Sequence, residues 1–202
     1  DSLMERVLRE CRDIECAYEL VSTEIEAGFR YQWANFVLAD PSQVAAVEIG
    51  SETAEIEMSN TDMVRTNHHL VLPTADVLRK ASPEAREAGG PLHDSQKRRQ
   101  EASRMLSSAR SLMDVMELLS THKDGRGFDS ICRHYPPNPR ENPFQGRTSY
   151  SYIIEVLWEE DLELDIRLHV AEGNPCSSTF HEFRIDFSFP PDRKSEIVSR
   201  FP

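Results

Sequence analysis

Three short stretches hold the residue types that chemistry needs: Arg65-Thr66-Asn67-His68-His69, Ser130-Ile131-Cys132-Arg133-His134 and Gly173-Asn174-Pro175-Cys176. An imidazole can ligate a metal or move a proton, a thiol can attack a carbonyl, and an amide or guanidinium can hold developing negative charge. Each stretch also has a plainer reading. Neighbouring side chains on an extended chain point to opposite faces, so His68 and His69 cannot easily serve one ion, and no metal is expected. Asn67 suits a turn. A cation beside Cys132 would favour its thiolate, but side chains at i and i+1 seldom face each other, and a surface ion pair is the commoner fate of Arg133. Gly173-Asn174-Pro175 is turn chemistry on any reading.

The elements that must position these residues follow from hydrophobic period. Leu3, Val7 and Leu8, then Ile14, Ala17, Tyr18, Val21 and Ile25, predict helices over 2–10 and 14–26 broken near Asp13. Three strand-like runs follow: Trp33 to Leu38, Val44 to Ile49 and Ala54 to Met58, separated by Asp40-Pro41-Ser42 and Gly50-Ser51, as in an antiparallel meander. Residues 81–95 read as a loop. Helices are predicted from Ser95 to Ala109 and from Ser111 to Ser120. The cluster Lys97, Arg98, Arg99, Arg104 and Arg110 reads as a solvated face. Pro136 to Pro143 is an irregular loop. Thr148–Trp158 and Leu162–Val170 flank the turn Glu159-Glu160-Asp161, and Phe180 to Phe189 alternates as a further strand. Helices, strands, helices, strands is an α+β layout. It predicts antiparallel strands over 33–66 and 148–188 in two stacked sheets covered by helices, burying Trp33, Phe36, Val37, Ile154, Val156, Leu168 and Phe187.

Composition removes whole classes. Of 202 residues, 23 are Lys or Arg and 35 are Asp or Glu, a net charge of −12 that argues against a nucleic-acid partner. No apolar run approaches the roughly 18 residues of a membrane span, so no membrane partner is expected. The chain contains 4 cysteines with no C-x-x-C pair, which suits free thiols in a reducing, cytoplasmic setting. Only 8 glycines are present, and none builds a phosphate-binding loop. Length suits a single domain over 1–202. The chain opens Asp1-Ser2-Leu3-Met4, with neither initiator methionine nor signal peptide, and reads as a piece whose true N-terminus lies elsewhere.

The order of the pieces resembles the C-terminal part of the isopenicillin-N acyltransferase-like autoproteolytic acyltransferases, which are N-terminal-nucleophile hydrolases more distantly similar to bile-salt and penicillin-V amidases. The resembling pattern is Asn35-Phe36-Val37-Leu38-Ala39-Asp40, Val47-Glu48, Thr66-Asn67-His68, Ser130-Ile131-Cys132-Arg133-His134, Thr148-Ser149 and Gly173-Asn174-Pro175-Cys176, spanning roughly residues 2–180. The resemblance implies a four-layer αββα sandwich, here incomplete at its N-terminus. It also implies a precursor that cleaves itself to expose a cysteine, whose own α-amino group serves as base. On the same ground Asn67 is a catalytic oxyanion donor and Arg133, with Ser130, lies close to the nucleophile, while His68 and His134 are structural. The nucleophilic cysteine is not in this chain: Cys11 and Cys16 sit in helices.

The expected function is therefore a cysteine amidohydrolase or acyltransferase acting on an N-acyl amide or short peptide through an acyl-enzyme, with no cofactor. A separate N-terminal chain or a homo-oligomer is the expected protein partner. The alternative is an inactive relative serving as a small-amide binding or assembly subunit. Specificity is expected from loops 81–95 and 136–147.

Overall fold

Helix α1 (Ser2–Glu10) places Leu3 and Val7 one turn apart, and both are buried. Helix α2 (Ile14–Glu26) starts where expected because Asp13 caps it, its carboxylate accepting the Cys16 N–H at 2.9 Å. Ile14, Ala17, Val21 and Ile25 then form its buried stripe. Strands β1 (Ala34–Ala39), β2 (Val44–Ile49) and β3 (Ala54–Ser59) form an antiparallel meander in sequence order. Phe36 pairs with Val47 and Val47 with Ile56, so Phe36, Val47, Ile49, Ala54 and Ile56 share the face that packs on α1 and α2. The first turn is set by Asp40, whose Oδ1 accepts from the Ser42 and Gln43 N–H groups.

The computed structural model describes residues 2–31, 33–72, 81–122, 125–135, 146–158 and 164–202. The expected Pro136–Pro143 loop and the Glu159-Glu160-Asp161 turn lie outside them. The chain divides into two compact units, residues 1–109 and 110–202. The first unit continues with a short helix α3 (Pro83–Arg86) and with α4 (Pro91–Leu106). Residues 81–95 are thus not a plain loop. Ser82 caps α3 by accepting from the Ala85 N–H, and Pro91, preset for a first helical turn, starts α4 four residues before Ser95. Gly90 between them is required by space, since a Cβ there would lie 2.3 Å from the Glu84 carbonyl oxygen. The basic face of α4 also differs from expectation: Arg104 is exposed, but Arg98 is buried.

The second unit holds α5 (Leu112–Ser120), capped by a reciprocal Ser111–Asp114 pair. A second antiparallel meander follows: β4 (Tyr150–Trp158), β5 (Leu164–Glu172) and β6 (His181–Ile185). Helix α6 (Pro191–Ser199) comes last. The strand expected through Phe189 ends at Ile185, because Asp186 Oδ1 takes the Ser188 N–H and hydroxyl in a turn and Pro191 opens α6.

The α+β class and the antiparallel sheets match the sequence reading, but the burial does not. Trp33 (56% exposed), Val37, Ile154 (66%), Val156 and Phe187 (79%) are open, and Phe36 and Leu168 are only half buried. Register supplies the reason. Tyr152, Ile154 and Val156 sit on one face of β4 opposite Val170, Leu168 and Ile166. Phe201 stacks on Tyr150, Tyr152 and Phe183 there, but Ile154 and Val156 remain uncovered. The opposite face buries polar groups instead: Asp165 between Arg167 and Arg184, and His169 beside Glu155.

Candidate functional site

In the first unit the segment after β3 folds back over the second face of the sheet, and Glu48 organises it. Glu48 is fully buried, where a strand alternating with Val47 and Ile49 puts its side chain opposite the helices. Its carboxylate accepts three successive backbone N–H groups, Leu70 (2.7 Å), Val71 (2.9 Å) and Leu72 (3.1 Å), and the Arg65 Nε at 3.1 Å. Burial alone would raise its pKa. The three N–H donors and Arg65 outweigh that and hold the carboxyl below its ordinary range. Asn35 Nδ2 donates to the Thr66 and His68 carbonyls and ties the same segment to β1.

This arrangement presents Asn67. Its backbone N–H donates to Ser95 Oγ at 3.0 Å, and its side-chain Oδ1 accepts from Arg98 Nη2 at 2.7 Å. With Oδ1 fixed on Arg98, the amide's Nδ2 end is the one left over. Asn67 is exposed, and among the described residues Nδ2 has no acceptor. Two N–H donors are thus held outward in a defined orientation, as an oxyanion site needs. His68 is buried, with Nδ1 2.8 Å from Ser95 Oγ and 3.2 Å from Thr66 Oγ1. Burial, then the nearby arginines, lower its pKa. His69 is also buried and packs on Trp33 at 5.5 Å between ring centroids.

In the second unit Arg133 lines a cleft of about 420 Å³ together with Leu119, Ile131, Arg147, Tyr150 and Tyr152. Its guanidinium lies 4.5 Å from the Phe128 ring centre, a cation–π contact that fixes its direction. Two arginines beside tyrosine rings make a cleft suited to the polar or anionic end of a partly apolar ligand. Ser130 is buried, and its hydroxyl donates to the Gly125 carbonyl at 2.6 Å, which closes the 125–130 loop. Arg133 does not activate Cys132 as a thiolate. That thiol is fully buried and burial raises its pKa. Asn67 belongs to the first unit and Arg133 to the second.

Residues the sequence reading did not gather lie behind Arg133. Cys132 and His134 do not line the cleft that Arg133 enters. His134 Nε2 lies 3.2 Å from Cys176 Sγ and 3.8 Å from Cys132 Sγ, and the His122 ring stands edge-on at 5.6 Å. The Cys-x-His spacing was the available signal; His122 and Cys176 are too far away in sequence to have been paired with it. No family model, curated protein or solved structure matches the chain.

Proposed function

We propose that the chain forms part of a cysteine amidohydrolase or acyltransferase acting on a linear amide, built on an αββα sandwich of the N-terminal-nucleophile type, with its attacking thiol supplied from outside the 202 residues. The observation that carries this reading is the orientation of Asn67. Arg98 takes the amide oxygen, so the Nδ2 donors face outward from a segment clamped by Glu48 and Ser95. A preorganised donor of that kind stabilises charge developing on a carbonyl oxygen without reorganisation during the reaction. Within the second unit, Arg133 lines a cleft with Arg147 and tyrosines that suits the polar end of a ligand. Ser130 supports Arg133 through the loop its hydroxyl closes.

The test is turnover of N-acyl amides carrying a chromogenic amine by protein expressed from its whole coding sequence. Asn67→Ala is expected to lower kcat by about 10²–10³, far more than it destabilises the fold: the oxyanion contact forms mainly in the transition state, whereas stability loses only the bond from buried Arg98. Unchanged kcat in that variant overturns the assignment. A second reading, an inactive amide-binding or assembly subunit, is favoured by the uncovered Ile154 and Val156 face. It predicts that the same amides bind without turnover.

A further inference from the structure

Behind the cleft, three separate segments bring His122, His134 and Cys176 to one point, with the Cys132 thiol beside His134. We propose that His122, His134, Cys176 and Cys132 form a site for a zinc-class divalent cation, independent of the amide chemistry. One ligand atom from each of His122, His134 and Cys176 lies within 4.8 Å of the other two. Cys132 Sγ stands 3.8 Å from the same Nε2 of His134 that Cys176 Sγ meets at 3.2 Å. A tetrahedral zinc ion with bonds of roughly 2.0–2.3 Å keeps its ligands about 3.3–3.8 Å apart, so the 3.8 Å separation falls at the edge of that range and the 3.2 Å one needs only a slight opening to admit the ion.

The frame around the site is held without a metal. The Cys132 N–H donates to the Thr121 carbonyl at 2.9 Å, anchoring the 132–134 segment beside His122. Asn174 Nδ2 donates to the Arg133 carbonyl, and the Gly173 N–H donates to the Ser149 carbonyl, which fixes the turn that delivers Cys176. Gly173 adopts φ +80°, a backbone conformation that favours glycine, so this turn is specified by the sequence. Little ordering entropy is left for the ion to overcome.

Ligand chemistry selects the metal. Two thiols and two imidazoles favour zinc or a similar borderline cation over magnesium or calcium, which want oxygen. On binding, each thiol releases its proton to solvent and each imidazole bonds through its neutral nitrogen. A divalent ion with two thiolates is then electrically neutral, which suits a half-buried position. A bound ion would grip both neighbours of Arg133 and so stiffen one wall of the cleft.

The full chain, reduced and stripped with chelator, is titrated with cobalt as a spectroscopic stand-in and with zinc for stoichiometry by elemental analysis. We expect one ion per chain and a near-ultraviolet thiolate-to-cobalt band. Cys176→Ser and His134→Ala should weaken binding by more than the roughly 10–100-fold cost of losing an outer partner. Cys132→Ser should lower the intensity of the thiolate band. Cys11→Ser with Cys16→Ser should change nothing, and circular dichroism identifies any variant that fails to fold. Absence of the cobalt band in the reduced chain overturns the proposal, as does an unchanged band in Cys176→Ser. A Cys132–Cys176 disulfide in the isolated protein, with no cobalt bound after reduction, replaces the site with a redox pair.

Discussion

The two units handle buried polarity in opposite ways. Around Glu48 the polar groups are densely engaged: three N–H groups and Arg65 converge on one carboxylate, and Ser95, Thr66 and His68 bond one another, with Asn35 Oδ1 and Arg99 Nε the buried atoms left over among the described residues of this unit. Around His134 the polar groups are close but only weakly engaged, with sulfur contacts of 3.2 and 3.8 Å, one exposed thiol and an open cleft lined by the neighbouring Arg133. A network with most of its bonds made holds a shape. One with spare valence and access can take a ligand, and this separates the scaffold that presents Asn67 from the groups beside Arg133.

The sharpest way to break this comparison is Glu48→Ala. It leaves three buried N–H groups and Arg65 without their carboxylate, and the expected cost is about 3–5 kcal/mol in urea unfolding. Acid provides a matching test. The folded pKa of Glu48 lies below its ordinary value near 4.5, so its contribution is complete above that pH and is lost as pH falls through the folded pKa. Wild type should lose stability on acidification, and Glu48→Gln should flatten that part of the curve; parallel curves would show that the carboxylate is not the keystone.

Ser95→Ala comes next, at about 1–3 kcal/mol, since it strands the Asn67 N–H and removes the shorter of the two contacts of His68 Nδ1. A neutral outcome by thermal melting would mean that solvent reaches the network. Asp13→Ala, which removes the cap of α2, should cost about 1 kcal/mol. Ile154→Thr is the smallest: on an open strand face it should shift stability by no more than about 0.5 kcal/mol, and a larger loss in the same assay would show that the face is covered.

Some of this was legible in the residues. Helices α1, α2 and α5 and the first meander were readable because caps, turn residues and apolar spacing are local signals, at Asp13, Ser111 and Asp40 in particular. Helix α6 was not, because the alternation of Phe183, Ile185, Phe187 and Phe189 runs past the point where Asp186 turns the chain. Asn67 and Arg133 could be singled out by residue type, but type says nothing about orientation.

By itself the sequence determined helices α1, α2 and α5, the antiparallel order of the strands and the acidic character of the chain, all of which depend on residues near one another or on simple sums. Only the tertiary structure decided which strand face is covered. Alternation marks two faces on β4 but cannot say which one meets other chain, and here the polar face is the more buried. It alone also decided that Asn67 is aimed by Arg98, 31 positions away, and that Cys176 meets His134, 42 positions away. Those pairings come from the closure of long loops in three dimensions, which no local pattern encodes.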